Sequence, residues 1–159
     1  MLDSIIALPP FAVFFIGAAL LLVCRGVVAS AVTIITPIVS FILLLQWQHG
    51  NYYDYQLMGL DLSLVNIDRM SLLFAYLFHL AALIGGIFAL HEKGKVQQIS
   101  ALAYAGSAVG AVFAGDWVSL FVFWELLALT SVFLIWARRT PSSYHSCLLY
   151  TSPSPRDRG

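Results

Sequence analysis

Long apolar runs, each of about 20 residues and separated by more polar breaks, constrain this chain more than anything else in it. They are Ile5 to Cys24, Val27 to Gln46, Met70 to Leu90, Gln97 to Ala114 and Trp117 to Ala137. A helix rises about 1.5 Å per residue, so runs of this length cover the roughly 30 Å of hydrocarbon in a bilayer. A soluble domain carries about 25% charged residues. Here the charged share is 10%, the hydrophobic share 60% and the mean hydropathy +0.88. The expected fold is an all-α membrane protein, a bundle of five transmembrane helices.

The first run reads as a retained helix rather than a signal peptide. Met-Leu-Asp3 offers an acid where a basic segment is expected, and no small-residue cleavage site follows. Pro9 and Pro10 suit a first helical turn, where a missing N–H costs nothing. Pro37 falls inside the second run, where it removes a backbone bond and is expected to kink the helix.

If the spans alternate, Arg25, Lys93, Lys95, Arg138 and Arg139 share one side of the membrane and Arg69 stands alone on the other. The excess of Lys and Arg marks the cytoplasmic side, so the N-terminus is expected outside. Trp47, Trp117 and Trp136 fall at the expected interfaces, where indole rings anchor.

The longest break, His49 to Arg69, begins Asn51-Tyr-Tyr-Asp-Tyr55 and then alternates Leu60, Leu62 and Leu64 with Asp61 and Ser63. That is a strand period, and Met58-Gly59 is a turn signal, so a short extracytoplasmic hairpin is expected between the second and third helices. Asp68 is placed to cap the third helix. Gly115-Asp116 leaves almost no loop, which makes the fourth and fifth helices antiparallel neighbours. Gly106 and Gly110, with Ala103 and Ala114, form a small-residue face suited to close helix contact.

Two ionisable residues interrupt the apolar runs. Glu125 lies eight residues past Trp117, roughly 12 Å below the outer boundary. Ionisable groups at that depth cost roughly 2.5 to 3.5 kcal/mol on insertion scales, so proton or cation handling is the default expectation. The plainer alternative is a structural carboxyl bonded to a neighbouring helix. His79 lies nine residues past Met70, roughly 14 Å down from the same side, on a face with Tyr76, Ala82 and Gly86. It reads either as a neutral ring bonded to Tyr76 or to a backbone carbonyl, or as a proton relay.

Other chemistry finds little support in the sequence. Cys24 and Cys147 are too few for a disulfide or metal framework, and no Cys or His cluster has ligand spacing. Neither a Walker loop, a dinucleotide fingerprint, a nucleophile elbow nor a basic patch for nucleic acid is present. No cofactor, metal or catalytic chemistry is expected.

The segments Val65-Asn-Ile-Asp-Arg-Met-Ser-Leu-Leu-Phe74, Tyr104-Ala-Gly-Ser-Ala-Val-Gly-Ala-Val-Phe-Ala-Gly-Asp116 and Leu120-Phe-Val-Phe-Trp-Glu-Leu-Leu-Ala-Leu-Thr-Ser-Val-Phe-Leu-Ile-Trp136 resemble the proton-conducting, antiporter-like subunits shared by respiratory complex I and multisubunit Na+/H+ antiporters. The likeness runs to about Ser146 and is greatest to the D-type component of the antiporter complexes. It implies a bundle of about fourteen helices built on inverted repeats in a bacterial plasma membrane. It also implies that Glu125 pairs with a lysine on a seventh helix, and that protons move along a hydrated axis of lysine, histidine and glutamate. The implied partners are lipid, the other subunits of the assembly, protons and a monovalent cation. Residues 1–146 would then be the N-terminal, five-helix part of such a subunit, ending short of the lysine.

Two alternatives stand beside that expectation. One is a proton-pumping membrane subunit of complex I or a related membrane hydrogenase; the other is a small structural membrane protein without transport. The tail, Cys147-Leu-Leu-Tyr-Thr-Ser-Pro-Ser-Pro-Arg-Asp157 and onward to Gly159, resembles a reading-frame translation of a transposon-end sequencing adapter and is set apart from the fold.

Overall fold

In the computed structural model, residues 8–57, 59–90 and 94–137 are described. Five helices and one hairpin follow in the order α1 (Pro10–Val23), α2 (Val27–Leu44), β1 (Gly50–Leu57), β2 (Leu60–Ile67), α3 (Arg69–Ala89), α4 (Lys95–Phe113) and α5 (Trp117–Ala137). All except α1 are long and apolar enough to cross a membrane. The adapter-like tail and the basic residues Lys93, Arg138 and Arg139 lie outside the described residues.

The boundaries follow local chemistry. Helix α1 starts at Pro10, as the Pro9-Pro10 pair led one to expect: Pro9 is extended at ψ 141°, and a residue before proline is driven out of the helical region. Pro10 then takes the first helical position, where its missing N–H is harmless. Helix α2 runs through Pro37, so the carbonyl of Thr33 lacks its usual helical donor. Asp68 caps α3 reciprocally: its carboxylate accepts from the Ser71 amide at 2.6 Å, while the Ser71 hydroxyl accepts from the Asp68 amide at 2.8 Å. Asp116 holds α5 through its carboxylate alone, accepting from the Ser119 amide at 2.7 Å and its hydroxyl at 2.9 Å.

Helix α4 is the centre of the bundle and packs against α1, α3 and α5. Half of its apolar stretch is buried (50%), against 11% for α5, which leans on α4 from the outside. Small residues permit this closeness. A Cβ on Gly106 would stand 2.8 Å from the Phe14 Cβ and 3.2 Å from the Phe11 carbonyl, and one on Gly110 would strike the Phe123 ring. The two glycines therefore serve different neighbours, α1 and α5, within the same chain. Between them Phe11 and Phe123 meet edge to face at 4.9 Å.

The hairpin forms in the expected place. β1 and β2 are antiparallel, with Gly50 opposite Ile67 and Leu57 opposite Leu60, and Gly59 takes φ +83° in the turn. Val65 and Ile67 reach into the core shared with Phe113 and Phe123. Ser63 accepts the Gly115 amide at 3.1 Å, and Tyr55 meets the Ser119 hydroxyl at 3.2 Å, so the hairpin sits on the α4–α5 turn. At the opposite end, Lys95 donates to the carbonyl of Leu22 at 2.6 Å. These contacts put the hairpin and the α4–α5 turn at one end and the α1–α2 connection and the start of α4 at the other. Trp47 packs beneath the hairpin against Tyr52, at 4.7 Å between rings, whereas Trp117 and Trp136 are exposed.

Candidate functional site

His79 is buried, with 2% of its surface exposed, where α3 faces α1 and α2. Its face of α3 is drawn to α2 by small and aromatic neighbours: Gly86 lies against the Thr33 backbone and Tyr76 meets Phe41 at 5.6 Å. The ring is held at both nitrogens. Nδ1 lies 2.7 Å from the carbonyl oxygen of Ala75, one helical turn earlier, and Nε2 lies 2.7 Å from Ser40 Oγ on α2. Ser40 in turn donates to the Pro10 carbonyl at 2.8 Å. Phe14 and Phe41 complete the enclosure, with ring centroids 5.2 and 5.9 Å from the imidazole.

Of the two partners expected for His79, the backbone carbonyl is the one found, and Tyr76 instead packs on Phe41. The ring's second partner is Ser40, which sequence reasoning missed. Its only signal there is a hydroxyl within the apolar stretch Ile38-Val-Ser-Phe-Ile42, three residues after Pro37.

Glu125 is placed quite differently. It is exposed on the flank of α5 away from α4, on a surface with Phe121, Val122, Leu129 and Val132, all exposed as well. These lie three, four and seven residues away, so they form one helical face. Trp124 beside it is also exposed, at 66%. The hydroxyls that follow on α5 are satisfied within the helix: Thr130 donates to Leu126 at 2.7 Å and Ser131 to Ala128 at 2.7 Å. Neither hydroxyl therefore serves Glu125.

The two ionisable residues are not brought together. They lie at similar heights along the bundle, since Phe11 touches Phe123, two residues before Glu125, and Phe14 touches His79. Phe11 and Phe14 are separated by one turn, about 4.5 Å along the helix. A cavity of about 520 Å³ opens between α3 and α4, walled by residues such as Gly85, Gly86, Gln97 and Tyr104, and neither His79 nor Glu125 lines it.

No family model, no curated protein and no solved structure matches the chain.

Proposed function

We propose that this chain is the N-terminal, five-helix part of a proton-translocating subunit of a multisubunit cation/proton antiporter in a bacterial plasma membrane. One observation carries the reading. Glu125 stands about halfway along an apolar membrane-length helix, on a face that no other described helix covers. A carboxylate facing lipid at that depth is costly, so such a face calls for a further helix with a proton donor or cation opposite it. That is the arrangement implied by the Phe-Trp-Glu segment and its likeness to antiporter-like subunits. Glu125 is the proton-handling group in this reading, and His79 is a second one on the inner side of the bundle. The N-terminus and the hairpin face the outside.

The test is Glu125→Gln in the full-length subunit within its assembled complex. The expected outcome is a loss of cation-dependent proton flux of about tenfold or more in membrane vesicles, at unchanged protein level. Unchanged flux would return Glu125 to a packing role and remove the proposal.

A further inference from the structure

The contacts around His79 contain more links than its neutral groups have hydrogens to fill. In series they are Ala75 carbonyl to Nδ1 at 2.7 Å, Nε2 to Ser40 Oγ at 2.7 Å, and Ser40 Oγ to the Pro10 carbonyl at 2.8 Å. Both ends are carbonyl oxygens, which only accept. Each link needs one hydrogen. A neutral imidazole brings one and the serine hydroxyl another, so one link stays empty. With the ring hydrogen on Nδ1, Ser40 must choose between Nε2 and Pro10. With it on Nε2, the Nδ1 lone pair faces the Ala75 oxygen.

An imidazolium removes the conflict. Nδ1–H donates to Ala75, Nε2–H donates to Ser40, and the Ser40 hydroxyl donates to Pro10, all in one direction. We propose that His79, Ser40 and the Pro10 carbonyl form a proton-binding site inside the bundle, in which the bound proton completes the chain and Ser40 positions the second ring N–H. The reading of the protein as a proton translocator enters only in treating this proton as cargo.

The surroundings bear on how the charge is held. Helices α1 and α2 contain no titratable residue, and face the ring with Phe14, Ser40 and Phe41. Helix α3 itself adds Arg69 at its far end and Tyr76, which packs on Phe41. Helix α4 carries only Lys95, bonded to Leu22 at the other end of the bundle, and Tyr104, exposed in the cavity wall. Among the described residues no carboxylate neutralises the ring. Hydrogen bonds to a charged group, strengthened by the low local dielectric, and two aromatic rings within 6 Å are what oppose its desolvation. A proton held in this manner depends on the chain of bonds remaining intact, which makes Ser40 the residue to change.

The experiment uses the whole chain, with histidine ring nitrogens labelled with 15N, in lipid nanodiscs, and follows their magnetic resonance signals against pH. His79→Gln assigns the signals. Both His79 nitrogens are expected to become protonated in one step as the pH falls. Ser40→Ala is expected to weaken proton binding about tenfold, a downward shift of about one pH unit, while Ser40→Thr stays close to the parent. If Ser40→Ala does not fold, Ser40→Cys keeps the volume with a poorer acceptor and is expected to shift the same way. A ring that retains one bare nitrogen at every pH where the chain is folded overturns the proposal, as does identical titration with and without the Ser40 hydroxyl. Neither result involves transport, so each is separable from failure of the Glu125→Gln experiment.

Discussion

Asp68 shows what one side chain does at the start of an apolar, membrane-length helix. It lies at the mouth of α3, where the Ser71 backbone amide, and secondarily the Ser71 hydroxyl, hold its carboxyl below the usual carboxylate range. The sign of the linkage follows: the capping contribution is present above the ordinary aspartate pKa and is lost as pH falls through the depressed value. Because the carboxylate is exposed, solvent screens it and the effect is modest. Asp68→Asn keeps an acceptor for the Ser71 amide but cannot titrate. Thermal unfolding in detergent is therefore expected to show a smaller fall in melting temperature from about pH 5 to about pH 3 in this variant than in the parent. An equal fall in both would show that the cap contributes nothing pH-dependent. His79 and Glu125 stand in contrast: one is enclosed and bonded at both nitrogens, the other lies on an open flank.

Helix α4 illustrates association by close approach in a bundle where apolar surface alone gives little drive between helices. Gly106 has Phe14 and the Phe11 carbonyl where a methyl would go, whereas a Cβ on Gly85 of α3 would meet nothing within 4 Å. Gly106→Ala is expected to destabilise the bundle by about 1–3 kcal/mol through overpacking against α1. Gly85→Ala is expected to stabilise by about 0.5–1 kcal/mol through helix propensity alone. Reversible unfolding in mixed detergent micelles reads both, and equal effects would show that α1 and α4 are not held by this contact. The close approach itself was legible, because small residues four apart leave one reason to be there. So were the helix limits near polar breaks and the hairpin, since the strand period of Leu60 to Leu64 and the Met58-Gly59 turn signal agreed. The first turn of α1 was legible too, in the Pro9-Pro10 pair. Two features were not. Ser40 gained its role from a histidine 39 residues away, which no local pattern records. The direction in which Glu125 points was hidden because α5 is apolar on nearly all sides, so periodicity gives it no inward face.

The whole bundle has two chemically different ends, and that difference predicts which way it sits. One end gathers the hairpin, Asp68, Asp116 and Arg69. The other gathers Arg25 and Lys95, the latter tying α4 to the end of α1. Lysine and arginine near short loops are retained on the cytoplasmic side, whereas acidic residues contribute little to orientation, so the hairpin end is expected outside. Asp54 is a suitable reporter because it is exposed on β1 of the hairpin. With Cys24 and Cys147 replaced by serine, Asp54→Cys is expected to react with a membrane-impermeant maleimide in intact cells. Arg25→Cys, at the opposite end, is expected to react only after the membrane is opened. Reversal of that pattern would turn the bundle over. Glu125 would then lie roughly 12 Å from the cytoplasmic boundary instead of the outer one, and a proton reaching it would come from the opposite compartment.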